Sequence, residues 1–191
     1  MNKEIELKFG IKKCPDIKEW NNIKTYKILQ TYLYNDEFSA IRTRKISDID
    51  NNGKYIYTVK TKGDIKNKNS VYEIEKEITE EEYEQINNQC INTIEKYRIK
   101  IPIDNNMVAE LDVYYGKLEG LITVEVEFPD ENKLLNFIRP DWFGIELNKK
   151  YFSNANLSRI TKEDFVNLVG KDSIESNIKI KNEIESIILN P

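Results

Sequence analysis

From Glu4 to Glu127 the chain returns to one pattern: runs in which every second residue is charged, most runs carrying a single sign, with apolar residues between. A β-strand sends successive side chains to opposite faces, so residues i, i+2 and i+4 share a side. Glu4, Glu6 and Lys8 then lie on one face, and Ile5, Leu7 and Phe9 on the other. The same arithmetic groups Arg42 with Arg44, Lys60 with Lys62, Glu73 with Glu75, Lys96 with Arg98 and Lys100, Glu110 with Asp112, and Glu125 with Glu127. The opposite faces carry Tyr55, Tyr57, Val59, Ile74, Ile99, Ile101, Leu111, Val113, Val124 and Val126. An ordinary sheet with one wet face accounts for any single strand of this kind. It accounts poorly for the set, because a solvated face mixes signs and favours opposite charges across strands. Acid-only and base-only strands point instead to faces that converge on something carrying both signs, such as a polyphosphate with its metal ions.

The alternation predicts eight strands, near 3–9, 26–34, 40–46, 54–62, 71–78, 96–103, 107–115 and 121–128. Turn chemistry at Asp50-Asn51-Asn52-Gly53, Asp104-Asn105-Asn106 and Tyr115-Gly116 favours antiparallel hairpins. A capping box at Thr79 to Glu82 starts a helix through Tyr83, Ile86 and Cys90, and further helices are expected over 131–138, after Thr161, and from about 173 to 189. The stretch from Asn148 to Ser158 is the least patterned and reads as a mobile loop. The fold class is therefore α+β: an eight-stranded antiparallel β-barrel, its apolar outer face covered by helices. Such a barrel has room for side chains or one small ligand. Burying this many charges in a dry core would cost several kcal/mol each, so the interior must be wet, ion-filled or ligand-filled, which makes it a tunnel.

Composition narrows the chemistry. At 191 residues one domain suffices. The chain has no histidine, which removes Ser-His, Cys-His and imidazole–zinc mechanisms, and its two cysteines, Cys14 and Cys90, build neither a zinc site nor a disulfide framework. No glycine-rich phosphate loop occurs, so a phosphate site must be made from side chains. A formal net charge of -4 argues against duplex nucleic acid as a partner. Without a membrane-length apolar run or a signal-like start, the expected setting is the cytoplasm.

The Glu4-Ile5-Glu6-Leu7-Lys8 segment resembles the ExExK signature of the CYTH, or triphosphate tunnel, family. The resemblance continues in order through Gln30-Thr31-Tyr32-Leu33, Arg42-Thr43-Arg44, Thr58-Val59-Lys60, Glu73-Ile74-Glu75, Ile94-Glu95-Lys96-Tyr97-Arg98, Glu110-Leu111-Asp112-Val113-Tyr114, Gly120-Leu121 and Glu125-Val126-Glu127. It extends to Pro140, Trp142, Gly144, Glu146 and Ser153-Asn154-Ala155-Asn156-Leu157. Val71 departs from it where the family often carries a basic residue, and Asn148 to Tyr151 where the family commonly has an Asp and an Arg. The tunnel domain is thus expected over 1–160, with 161–191 as a helical extension of the same domain that is free to serve as lid, plug or homodimer contact.

The resemblance implies metal-dependent hydrolysis of inorganic triphosphate to pyrophosphate and phosphate. Alternatives are a class IV adenylyl cyclase forming cyclic AMP, a thiamine or nucleoside triphosphatase, and a non-catalytic polyphosphate- or nucleotide-binding module. It puts Lys8, Arg42, Arg44, Lys60, Lys62, Lys96 and Arg98 on the phosphates, with Glu73 and Glu75 among the substrate-binding set. Arg forks suit paired oxygens and Lys acts as a point charge. Glu4, Glu6, Glu110, Asp112, Glu125 and Glu127 are the implied ligands of Mg2+ or Mn2+, which prefer oxygen donors. Glu4, Glu6 and Lys8 are the implied catalytic residues.

Overall fold

A computed structural model describes residues 5–16, 23–48, 50, 52–62, 71–88, 90–104 and 107–188. Glu4, the Lys62 side chain, Asn51 and the turn residues Asn105 and Asn106 lie outside the described residues. All eight expected strands are present: β1 (Ile5–Ile11), β2 (Lys24–Asn35), β3 (Ser39–Ser47), β4 (Gly53–Lys62), β5 (Val71–Ile78), β6 (Thr93–Asp104), β7 (Met107–Tyr114) and β8 (Ile122–Phe128). A ninth, β9 (Phe143–Glu146), lies along the outer edge of β1. The single sheet runs β5-β4-β3-β2-β6-β7-β8-β1-β9, and every described pairing is antiparallel.

The hydrogen-bonded ring does not close among the described residues, because β1 pairs with β8 and β9 rather than with β5. Strand β9 pairs at only two positions, Phe9 with Glu146 and Ile11 with Phe143. It shields the β1 edge instead of extending the ladder to β5. Gly144 permits the approach, since a Cβ there would lie 3.0 Å from the Gly10 backbone. The sheet is therefore a curved, open wall around a charged interior.

Turns are set by local side chains. The Asp48 carboxylate accepts from the Asp50 and Asn52 amides at 3.0 and 2.8 Å and closes the β3–β4 connection. Asp36 does the same between β2 and β3, accepting from the Phe38 and Ser39 amides.

Helix α1 (Glu80–Asn87) carries the expected capping box between Thr79 and Glu82, and buries Tyr83. Helix α2 (Glu131–Leu135) stops three residues short of the expected end. The expected loop from Asn148 to Ser158 is instead two single-turn helices, α3 (Lys149–Phe152) and α4 (Asn154–Leu157). Ser153 joins them, and its hydroxyl accepts from the Asn156 amide. Helix α5 (Lys162–Val169) starts at the Thr161–Asp164 capping box, and α6 (Lys171–Ile188) follows a left-handed Gly170.

The apolar outer faces of β6, β7, β8 and β1 form the main core. Ile99, Ile101, Leu111, Val113, Val124 and Val126 pack against Ile180 and Ile184 of α6 and against Trp142 and Phe143. A second cluster, Ile94, Tyr114, Leu118, Leu121, Leu157 and Phe165, seats α4 and α5 at one end. The helices thus cover the outside of β6, β7, β8 and β1 and leave the charged face inward, while Ile74 on the outer face of β5 stays 70% exposed. Cys14 and Cys90 are free thiols. No helix among the described residues is long and apolar enough to cross a membrane.

Candidate active site

The inner face encloses a cavity of about 410 Å3. Its lining includes Glu6 and Lys8 from β1, Arg42 and Arg44 from β3, Lys60 from β4, Glu73 and Glu75 from β5, Lys96 and Arg98 from β6, Glu110 from β7, and Glu125 and Glu127 from β8. Period-2 alternation brings these strand residues to one space. The register shows why whole strands carry one sign: basic β4 adjoins acidic β5, with basic β3 one strand further on and its arginines reaching across to β5, and basic β6 adjoins acidic β7. Opposite charges therefore meet between strands rather than along them.

Two kinds of pairing result. On the β3–β5 side, Arg42 reaches Glu73 at 3.2 Å, Arg44 bonds Glu75, and Lys60 lies 3.3 Å from Glu73. These pairs are partly wet, with the Glu75 side chain 42% exposed. The Nε atoms of Arg42 and Arg44 are buried without a hydrogen-bond partner. An orphaned donor costs free energy unless a ligand meets it, so each of these two guanidiniums has one N–H donor still to be met by an acceptor. Burial and the adjacent Arg42 cation lower the Arg44 pKa, against the pull of Glu75 and Glu73.

On the β6–β8 side the charges interlock. Arg98 donates from Nε to Asp112 at 2.7 Å and from Nη2 to Asp112 and Glu125 at 2.6 and 2.7 Å, while Nη1 bonds Glu110. Lys96 donates to Asp112 at 2.5 Å, and Lys8 lies 2.7 Å from Glu125. Burial opposes the charge on Arg98, but Asp112, Glu125 and Glu110 outweigh it and raise its pKa further. Lys8 behaves similarly: burial is overcome by Tyr114, Glu125 and Asp112, so its ammonium is held firmly protonated. Burial likewise opposes the Glu125 charge, while Lys8, Arg98 and Lys96 hold this carboxyl well below the usual range. Lys96 goes the other way. Burial and Arg98 push it down to about 8, because the one carboxylate it touches is shared with Arg98.

Asp112 does not sit as the sequence implies. It is fully buried beneath the lining, and both its oxygens are taken by Arg98 and Lys96. A metal would have to displace two buried cations to reach it. Glu110, held by Arg98 and by Lys100 at 2.9 Å, is similarly engaged. Lys100 stands half-exposed at the rim.

The donor pair that fits a divalent cation is Glu6 with Glu127, which face each other directly in the β1–β8 register and both line the cavity. Like charges in that relation are unfavourable without a cation between them. Among the described residues, no three carboxylates or thiols converge as a complete cage. A two-carboxylate edge nevertheless suits Mg2+, which commonly takes one or two carboxylates plus waters and substrate oxygens.

Sequence reasoning overlooked several lining residues. Gln30 and Tyr32 share the inner face of β2 with Ile28, and Gln30 donates to the Tyr32 hydroxyl at 2.6 Å. They register against Arg44 and Arg42. Their alternation was legible, but they carry no charge. Lys149, Phe152 and Asn154 enter from α3 and α4. Those helices are tied down by Lys8, which donates to the Phe152 carbonyl at 2.9 Å, and by the Tyr114 hydroxyl, which donates to Asn154 at 2.7 Å.

No protein-family model matches the chain. It is 32% identical over 167 residues to an inorganic triphosphatase of Acetivibrio thermocellus, covering 86% of this chain and 99% of that protein. It is 31% identical over 155 residues to an inorganic triphosphatase of Nitrosomonas europaea, covering 80% and 95%. The chain belongs to the inorganic triphosphatase family. A crystal structure of an inorganic triphosphatase superposes with a TM-score of 0.57 at 29% identity, covering 83% of this chain and 95% of the other. The CYTH resemblance of the sequence and the family membership agree, and the opposed charged strands are what this family member builds its cavity from.

Proposed function

We propose that the chain hydrolyses inorganic triphosphate to pyrophosphate and phosphate in this cavity, assisted by Mg2+ or Mn2+. One observation carries the reading: Arg42 and Arg44, whose buried Nε donors have no partner, line the same cavity as Lys8, Lys96 and Arg98. The names of the relatives support the same substrate.

Arg42, Arg44 and Lys60 bind the phosphate chain from one side. Lys8, fixed as a cation, and Lys96 stabilise charge on the transferring phosphoryl group from the other, where positioned cations supply most of the catalysis. Arg98 orders the wall, and Glu73 and Glu75 hold the β3 and β4 cations until substrate arrives. Glu6 and Glu127 would hold the divalent cation, which when bound would supply charge neutralisation at the phosphates and a more acidic water. Glu6 accepts the proton of the attacking water as its oxygen bonds to the terminal phosphorus. The bridging P–O bond breaks and pyrophosphate leaves with the electron pair.

The test is phosphate release from inorganic triphosphate, ATP and thiamine triphosphate with each metal, with cyclic AMP measured in parallel. Inorganic triphosphate should be turned over fastest, and Glu127→Gln should remove most metal-dependent turnover. Preferential turnover of another triphosphate, or cyclic AMP as product, would reassign the substrate, and no turnover at all would end the enzymatic reading.

A further inference from the structure

Lys149 is the first residue of α3, lines the cavity, and places its ammonium 3.2 Å from Glu6. The backbone beneath it is anchored at several points. Lys8 holds the Phe152 carbonyl, Tyr114 holds Asn154, and Arg159 bonds the Asn35 carbonyl of β2. The side chain itself is a flexible four-carbon stem with half of its surface exposed. Lys149 therefore combines a fixed base with a mobile charge.

Its partner is the carboxylate that faces Glu127 in the β1–β8 register. Two carboxylates in this relation call for a positive charge. Lys149 supplies it to Glu6. A divalent cation bound to Glu6 would repel the ammonium from the same oxygens. The freed ammonium would then be within the cavity that the phosphates fill.

We propose that Lys149 is an exchangeable counter-cation for the metal site: it occupies Glu6 in the empty protein, leaves when a divalent cation binds, and moves to the triphosphate oxygens. The inference rests on the assignment of Glu6 and Glu127 to the cation. It makes metal and substrate binding cooperative, since the metal alone must displace Lys149, whereas the metal with triphosphate gives Lys149 a new anionic partner.

The test is Mn2+ binding to the substrate-free protein, followed by the electron paramagnetic resonance signal of free Mn2+, for wild type, Lys149→Met, Glu6→Gln and the double variant. Lys149→Met should tighten Mn2+ binding about threefold to fivefold, the range a partly exposed ion pair supports. In the Glu6→Gln background the same substitution should have no effect. With a non-hydrolysable imido analogue of triphosphate present, Lys149→Met should lose the tightening, because wild-type Lys149 then holds phosphate. Unchanged or weaker Mn2+ binding in Lys149→Met, an equal shift without Glu6, or tightening that persists with the analogue would overturn the exchange. Turnover of triphosphate by wild type is measured separately. Its absence, together with the Mn2+ shift, would sink hydrolysis and leave the exchange standing.

Discussion

Replacing Asp112 with Asn should unfold the inner wall before it touches the chemistry. Asp112 has no exposed surface, and it is the shared anion between Lys96 at 2.5 Å and Arg98 at 2.7 and 2.6 Å. Asn keeps the shape but points an amide donor at two cations. Removing one partner of a buried ion pair costs about 3–5 kcal/mol, because the remaining charge stays buried and unmatched. In a chain of 191 residues each kcal/mol moves Tm by about 2–4 °C, so the variant should melt roughly 6–20 °C below wild type. Thermal unfolding by circular dichroism, with and without inorganic triphosphate, reads this directly. Triphosphate should raise Tm more in Asp112→Asn than in wild type, because its oxygens restore part of the missing charge. Mn2+ affinity should be retained, since Asp112 is no metal ligand in our reading. A melting point within about 2 °C of wild type would refute the buried-hub argument, and loss of Mn2+ binding in a folded variant would reinstate Asp112 as a ligand.

The remaining expectations concern charge, phosphate contact and packing. Lys96, pushed down to about 8 from 10.5, carries a folded-state penalty present in full below that value. From this group, stability of the empty protein should rise between pH 8 and 10.5 while the KM for triphosphate also rises as the ammonium is lost; Lys96→Met should abolish both trends in pH-dependent melting and kinetics. Arg44→Ala removes a guanidinium with an unmet donor and should raise KM at least about tenfold, the lower range for losing a hydrogen bond to a charged group, as measured by phosphate release. Gly120 has φ +92, and a Cβ there would lie 2.6 Å from Ile174 of α6, so Gly120→Ala should cost about 2–4 kcal/mol in denaturant titration. The added truncation Ile174→Ala should recover the clash with the Ile174 side chain, but neither the 3.2 Å approach to the Ile174 carbonyl nor the cost of the positive φ.

What could be read from the sequence was whatever has a period. Eight strands and both capping boxes follow from alternation and from Thr79 and Thr161 with their acidic partners three residues on. Strand β9 has four residues and two paired positions, too few to establish a period. Helices α3 and α4 are single turns held by a Ser153 cap and by contacts to Lys8 and Tyr114, which lie 144 and 40 positions away from their partners. Alternation put Asp112 on the charged face, but depth along a strand depends on register. Only opposite Arg98, and diagonally from Lys96, does it become a buried counter-ion rather than a ligand. By sign alone, the strands point to a shared ligand of both charges. They also pair with each other across the sheet, a neutralisation visible only when strand order is known.

That neutralisation decides what the cavity selects. The cations proposed to bind phosphate already have carboxylates, so substrate binding would be an exchange of anions rather than the filling of bare charges. On the β3–β5 side Glu73 and Glu75 keep 23% and 42% of their side chains exposed, so these pairs lie nearer the roughly 0–1 kcal/mol of a solvated pair than the pairs to Asp112 do. On the β6–β8 side the pairs to Asp112 are buried, and breaking one costs several times that. In the proposed mode of binding, substrate would take over Arg42, Arg44 and Lys60 from Glu73 and Glu75, while Arg98 would keep its own anions and leave the wall intact. A single phosphate gains little from displacing one weak pair at a time. A chain of three phosphates would reach all three cations at once, two of them Arg42 and Arg44, whose Nε donors the carboxylates leave unmet. Preference for a polyphosphate over a monophosphate then follows from how many half-strength counter-ions one ligand replaces together.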